Sequence, residues 1–439
     1  MQFSISAIAA QQSEDFYRTA KDAESYYARR NVTIDKFQKL IYNVYGQAVP
    51  DVFSANYKLK TGFFRRFIVQ QVQYVLSNGV TFAQKETKLK LGNNFDNILQ
   101  AAAKKALVDG VAFCFWNYDH LELFAFADTP NDPGFVPLYD EDSGVLKAGV
   151  RYWYRGSTKT KRFTLYEVDG YTDYIQRYGE EMEVLEGKRP YVQVIRRSMA
   201  EDDQVEAGAP YDALPIFPLY ANDLRQSELV GIRESLDCYD FIKSGLANDI
   251  DDTSGFYWVL KNTGGMEDMD LQKFIERMKV VRAAVLEDGE EAEAHTLEIP
   301  TGARETMLNR LRSDLYEDAM LMDVDKALAG NQTATAIRMA YQPQDDKCGD
   351  FEYCIRDFIA RLLRFIGVED EPSFQWNRIA NQGEETQMVL MAANYLDDEA
   401  ILKHLPWLTP EETREILARK SAEDMTRLGV EMDIKQGGI

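Results

Sequence analysis

Read for the spacing of its apolar positions alone, the chain changes period several times. Its longest stretch of one period is SELVGIRESLDCYDFIKSGLANDIDDTSGFYWVLK, from Ser227 to Lys261. Leu229, Ile232, Leu236, Tyr239, Ile242, Leu246 and Ile250 recur three or four apart, so they share one helical face. The spacing predicts one helix of about 24 residues, roughly 36 Å long, that stops at the start of a strand. Four shorter helices are expected before it. Ser13 is placed to cap one that ends near Arg29-Arg30, and a second starts near Thr33 with Ile34, Phe37, Leu40 and Ile41 on one face. A third, Gly62 to Leu76, ends at Asn78-Gly79, and a fourth, Phe95 to Val108, stops at Asp109-Gly110.

At Val111 the period shortens to two. VAFCFWNY, LELFAFAD, FVPLYDE, KAGVRYWYRG, RFTLYEVD, YTDYIQRYG, EEMEVLEG and YVQVIRRS are short and rich in aromatic and β-branched residues. Turn signals such as Pro130-Asn131-Asp132-Pro133-Gly134 and Asp142-Ser143-Gly144 separate them. They predict one antiparallel meander over 111–200, then a polar loop, MAEDDQVEAGAPYDALP, before PIFPLYAND leads into the long helix. After Lys261 come a short helix from Asp270 to Met278 and strands KVVRAAVL and EAHTLEIP, with Glu287-Asp288-Gly289-Glu290 connecting them. Arg304 to Met322 is helical again, with Leu308, Leu311 and Leu315 in register. DVDKALAGNQTAT, 323–335, loses periodicity and reads as a loop. A helix from about Ala336 meets Pro343, which breaks or kinks it, and resumes through Phe351, Ile355, Phe358, Leu362 and Phe365. Helices follow near 383–396 and 398–404, and Thr409-Pro410-Glu411-Glu412 is a capping box that opens a last one. The expected fold class is α+β.

Composition narrows the picture. A chain of 439 residues, 45% hydrophobic, with 24 Tyr and 23 Phe, should fold into two or three domains. Its net charge of −22 argues against tight, stationary binding of nucleic acid, because such a surface repels a phosphate backbone. Cys114, Cys238, Cys348 and Cys354 form no CxxC pair and read as reduced core thiols. No run of about 18 apolar residues exists, so no membrane span is expected. MQFSISAIAAQQSED lacks the features of a signal peptide, so synthesis and folding in a cytoplasm are expected.

Candidate chemistry is sparse. None of His120, His295 and His404 has a second His at ligand spacing or stands beside a Ser or Cys nucleophile, and no Gly-rich nucleotide loop appears. The acidic clusters Asp249/Asp251/Asp252 and Glu287/Asp288/Glu290/Glu291 leave a metal-dependent nuclease as the alternative from another class. Against it, they fall at a helix end and a strand connection, where charge is usually solvated. Between Ser227 and Lys261 seven acids face three bases, which suits subunits packed side by side as well as a monomer core.

In their order and spacing these parts resemble the portal proteins of tailed bacteriophages, of the long non-contractile-tailed type. The strongest match is PIFPLYANDLRQSELVGIRESLDCYDFIKSGLANDIDDTSGFYWVLKN. FVPLYDEDSGVLKAGVRYWY, YEVDGYTDYI and SNGVTF at 77–82 also match in kind. The resemblance implies a homo-oligomeric ring, typically of twelve subunits, at one capsid vertex of the virion, around a channel for double-stranded DNA. It implies a wing over 1–225, helical over 1–108 and β-rich over 111–220. It places a first stem helix at 226–261, a clip at 262–302 and a second stem helix at 303–322. A tunnel loop at 323–335, a long kinked helix at 336–369 and a crown at 370–439 complete it. Thr333-Ala334-Thr335-Ala336-Ile337 takes the place of the family's Ser-Gly-x-Ala-like segment without its glycine. The implied partners are the large terminase subunit, head-completion or adaptor proteins, and capsid and scaffolding proteins. The clip acids Glu287, Asp288, Glu290 and Glu291 would meet some of them. Lys326, Asn331, Gln332 and Thr333 would touch DNA without reading its sequence. Catalysis, cofactors, bound metals and membrane contact are not expected.

Overall fold

The eight runs of period two are all strands: Val111–Asn117, His120–Ala125, Gly134–Tyr139, Leu146–Arg155, Thr160–Glu167, Gly170–Gln176, Glu183–Arg189 and Val192–Arg196. They do not form one meander. The five from Gly134 to Arg189 make an antiparallel sheet in sequence order. The first two belong to a three-stranded sheet whose third member is Ile216–Tyr220, paired with Val111–Asn117 from Ile216 opposite Phe115 to Tyr220 opposite Val111. The break falls at Pro130 and Pro133, which have no N–H to give to a ladder. Pro218 is tolerated because its strand is an edge. The eighth strand pairs with Gln204–Ala209, so the stretch expected as a polar loop contains a strand.

A computed structural model of the chain describes residues 5–42, 45–52, 54–140, 142–156, 159–196, 204–209, 211–253, 257–261, 291–295, 301–325, 334–377, 382–405, 407–408 and 412–422. The chain divides into two units. One joins Met1–Glu24, Arg66–Val230 and Met320–Ile439; the other joins Ser25–Arg65 and Gly231–Ala319.

In the first unit an aromatic core lies under both larger sheets. Phe113, Phe124 and Phe135 are fully buried, with the rings of Phe113 and Phe135 4.6 Å apart. The helix Phe95–Asp109 packs on Val111–Asn117 and His120–Ala125 with Leu99, Ala102, Ala103, Ala106 and Leu107 buried. It ends at Gly110, whose φ of 92° and N–H to the Ala106 carbonyl (2.7 Å) make a left-handed cap. A Cβ at Gly110 would lie 2.9 Å from the Arg225 carbonyl oxygen, so the chain passes too close for any side chain. Asp109 is fully buried. Its Oδ2 accepts the Ala127 N–H (3.2 Å), and nearby Lys105 bridges Glu24 (2.6 Å) and Asp132 (3.2 Å). Burial, and then the charge of Glu24, hold the Asp109 carboxyl well above the usual range.

Several expected helices are corrected. Ser13 ends a first helix, Ile5–Ser13, by donating Oγ to the Ala10 carbonyl (2.6 Å), and the next helix is Asp15–Tyr27. The helix near Thr33 is only Val32–Lys36, capped by Asn31, whose Oδ1 accepts from Thr33 N and Ile34 N (both 3.0 Å). Leu40 and Ile41 lie instead in the strand Leu40–Tyr42, paired with Ala48–Pro50. Gly46, at φ 70°, gives that hairpin its turn. The long helix is Arg233–Thr253 and starts six residues after Ser227. Ser227 accounts for the delay: its Oγ accepts the Leu229 N–H (3.1 Å) and its carbonyl the Val230 N–H (3.2 Å), a local turn that competes with helix.

Tyr257–Lys261 pairs with Glu291–His295, Lys261 opposite Glu291, so Glu291 belongs to a strand and not to a connection. The expected strand KVVRAAVL and the helix Asp270 to Met278 lie outside the described residues. The next helix runs Thr301–Asp318, short of Met322. A 33-residue helix, Ala334–Ile366, contains Pro343 and packs along Ile216–Tyr220 with Phe351, Ile355, Phe358 and Leu362 buried. Gln382–Ala392, Asp398–His404 and 412–422 are also helical.

Candidate functional site

Lys326, Asn331, Gln332 and Thr333, and the clip acids Glu287, Asp288 and Glu290, lie outside the described residues; Glu291 opens its strand opposite Lys261. What the structure describes is the framework on either side of them, one part in each unit.

In the second unit, Arg233–Thr253 and Thr301–Asp318 lie antiparallel. Phe63 touches Tyr239 (ring centroids 5.2 Å) and Tyr316 (6.2 Å) at one end, and Arg304 pairs with Asp249 toward the other. Asp249, from the first acidic cluster, is therefore tied to a guanidinium. Among the described residues no group of three or more His, Cys, Asp or Glu side chains is arranged to hold a metal ion.

The buried face of Arg233–Thr253 is not the expected apolar stripe. Leu229, Ile232 and Leu236 are buried, but farther along Phe241 and Ile250 are about half exposed, while Asp240, Ser244 and Asn248 are buried. These three stand four residues apart. Each takes one backbone N–H of the extended segment before helix Phe63–Leu76. Thr61 N donates to Asp240 Oδ1 (3.0 Å), Leu59 N to Ser244 Oγ (2.9 Å) and Tyr57 N to Asn248 Oδ1 (2.5 Å). Asn248 Nδ2 returns a bond to the Tyr57 carbonyl (3.3 Å). The two spacings match: four helical residues advance about 6 Å, and two extended residues advance about 6.6 Å. Asn31 Nδ2 adds a bond to Asp240 Oδ2 (3.0 Å). Burial pushes the Asp240 carboxyl up from its usual range, against the pull of the Asn31 and Thr61 donors. The signal was present in the sequence as Asp, Ser and Asn at i, i+4 and i+8, a register that counting apolar residues passes over.

In the first unit, the chain entering the expected tunnel loop is held beside Pro343. Met322 N donates to Gln344 Oε1 (3.1 Å), and Gln70 Nε2 donates both to the Met322 carbonyl (3.1 Å) and to Gln344 Oε1 (3.1 Å). Around this point Tyr74 donates its hydroxyl to Asp345 and stacks on Tyr341 (6.2 Å, 14°). Trp376 Nε1 donates to Glu352 Oε2 (2.5 Å), and Lys347 pairs with Glu228 (2.5 Å) with both side chains mostly buried. A glutamine beside a proline in a helical pattern was the sequence signal for this contact.

His120 Nδ1 lies 2.7 Å from Asp119 on an exposed turn. Cys114 and Cys348 are buried thiols, and burial pushes Cys348 up to about 12. No described helix is long and apolar enough to cross a membrane.

Residues 7–426 match the family model described as phage portal protein, SPP1 Gp6-like. The chain is 24% identical over 433 residues to the portal protein of Bacillus phage SPP1, covering 91% of this chain and 82% of that one. It is 27% identical over 217 residues to the portal protein of Clostridium phage phiCD119, covering 47% of this chain and 48% of that one, so this match spans about half the relative's length. Among solved structures, a chain from the virion of a native gene transfer agent particle is similar at TM-score 0.43 and 12% identity, over 79% of this chain and 90% of that one. A chain from the neck of the native particle, computed with C12 symmetry, is similar at TM-score 0.40 and 12% identity, with the same coverage.

Proposed function

The chain belongs to the SPP1 Gp6-like family of phage portal proteins, and from that membership we propose that its copies close into a ring at one capsid vertex, the conduit through which DNA enters and leaves. Portal proteins are structural components of the virion and not enzymes, and a nuclease role finds no support. The observation that carries the proposal is the family match over residues 7–426, nearly the whole chain. The ring would be a dodecamer, with 1–225 as its wing and the segments 226–261 and 303–322 as its stem. Segment 262–302 would be the clip, 323–335 the tunnel loop, 336–369 the kinked helix and 370–439 the crown. A separate ATPase, the large terminase subunit, would dock at the clip and supply the energy of packaging, and head-completion proteins would follow it there. Glu287, Asp288, Glu290 and Glu291 are the acids proposed to face these partners.

A conduit has to touch DNA without holding it. A net charge of −22 keeps phosphates hydrated and mobile, while a few donors on a loop make transient contacts. Lys326, Asn331, Gln332 and Thr333 are the donors proposed.

The purified chain is expected to form large rings under capsid-assembly conditions, by electron microscopy or native mass spectrometry. A species that stays monomeric throughout would overturn the ring. Lys326→Glu should impair DNA packaging or retention more than ring assembly. Loss of the rings themselves would show 323–335 to be structural.

A further inference from the structure

We propose that Gln344, with Gln70, is a positioning residue of the conduit. The two amides read both backbone groups of Met322 and fix that residue beside Pro343 of the helix Ala334–Ile366. The inference rests on the assignment of 323–335 as the DNA-facing segment and names what holds the chain on either side of it.

Three bonds close a triangle. The Met322 N–H and the Gln70 amide both reach Gln344 Oε1, and the same Gln70 nitrogen reaches the Met322 carbonyl, each at 3.1 Å. Gln344 is only 2% exposed and Met322 7%, so neither backbone group of Met322 has a ready substitute in water. The position of Gln344 matters as much as its bonds. Pro343 has no N–H for the helical ladder and its ring crowds the preceding turn, so one ladder bond is missing next to Gln344. Tyr74 adds side-chain contacts there, to Asp345, Tyr341 and Trp376. An apolar plug would hold the same shape but tolerate sliding. An amide triangle specifies one register, because a slip of one residue at Met322 leaves buried donors and acceptors unmatched. The triangle carries no charge, so it sets position without adding attraction for phosphate.

The test uses the full chain and three variants. Gln344→Leu removes the shared acceptor; Gln344→Glu keeps two oxygens for the same donors; Gln70→Met removes the bridge and leaves the Met322–Gln344 bond, in case Gln344→Leu does not fold. Hydrogen exchange at the Met322 amide should quicken by roughly tenfold to a hundredfold in Gln344→Leu. It should return toward the parent rate in Gln344→Glu. Rings should still form in all three, while particles assembled with Gln344→Leu or Gln70→Met retain less DNA and those with Gln344→Glu retain the normal amount. Unchanged exchange at Met322 would show that the triangle is absent. Faster exchange with normal DNA retention, or loss of rings in every variant, would show a structural contact without a positioning role. If Lys326→Glu leaves DNA handling intact while Gln344→Leu impairs it, the assignment of Lys326 fails and the positioning role stands.

Discussion

One serine, one aspartate and one asparagine decide where residues 57–61 run. Ser244 is both acceptor for Leu59 N and donor to the Asp240 carbonyl (2.6 Å), so Ser244→Ala should cost about 1–2 kcal/mol in urea denaturation. Asp240→Ala should cost more, about 3 kcal/mol, because it strands the Thr61 N–H and the Asn31 amide in a buried site. Equal and negligible losses would mean that water replaces these contacts freely. Asp109 makes a different kind of prediction. Its folded-state carboxyl is raised above the ordinary 3.8, so its contribution to stability is full below that pH and is lost as pH rises through the raised value. Asp109→Asn can still accept the Ala127 N–H and should remove that loss. Melting curves from pH 4 to 8 should fall with pH more steeply for the parent than for the variant, and equal slopes would refute the assignment. Neither site was legible from apolar spacing. Burial of Asp240, Ser244 and Asn248 depends on an extended partner 179 to 191 positions away, which no local pattern reveals.

Elements were more legible than their partners. Every run of alternating aromatic and β-branched residues from Val111 to Arg196 is a strand, because that alternation suits a half-buried pleated surface. Their division among three sheets was hidden, since Ile216–Tyr220 takes the place beside Val111–Asn117 after a long excursion. The hairpin at Leu40–Pro50 was missed for the opposite reason: four apolar residues at helical spacing outweighed a single turn glycine. Gly110 shows how tightly one junction is specified. Gly110→Ala would force a left-handed φ on alanine and drive its Cβ against the Arg225 and Gln226 backbone. It should destabilise the first unit by about 2 kcal/mol or more, measured by chemical denaturation. The positions proposed to face DNA and docking partners were legible only through family resemblance.

At the scale of the whole molecule, charge sets the terms of assembly. Each copy carries −22, so neighbours in a ring repel at long range. Salt shortens that range, from about 10 Å at 0.1 M to about 3 Å at 1 M. The ring fraction should therefore rise with ionic strength in sedimentation velocity, and a fall would point instead to subunit contacts dominated by surface ion pairs. The second unit also has a consequence for synthesis. Residues 57–61 leave the ribosome long before the helix that satisfies them, and at 5–20 residues per second they wait roughly 10–40 s. Through that interval Tyr57, Leu59 and Thr61 present unmatched amides on an extended segment, an invitation to mispair with another nascent chain. Lys58 and Lys60 alternate with them, and in the folded unit they reach the Asp35 carbonyl and carboxylate. Before the helix Arg233–Thr253 is made, their charges should discourage aggregation of this segment.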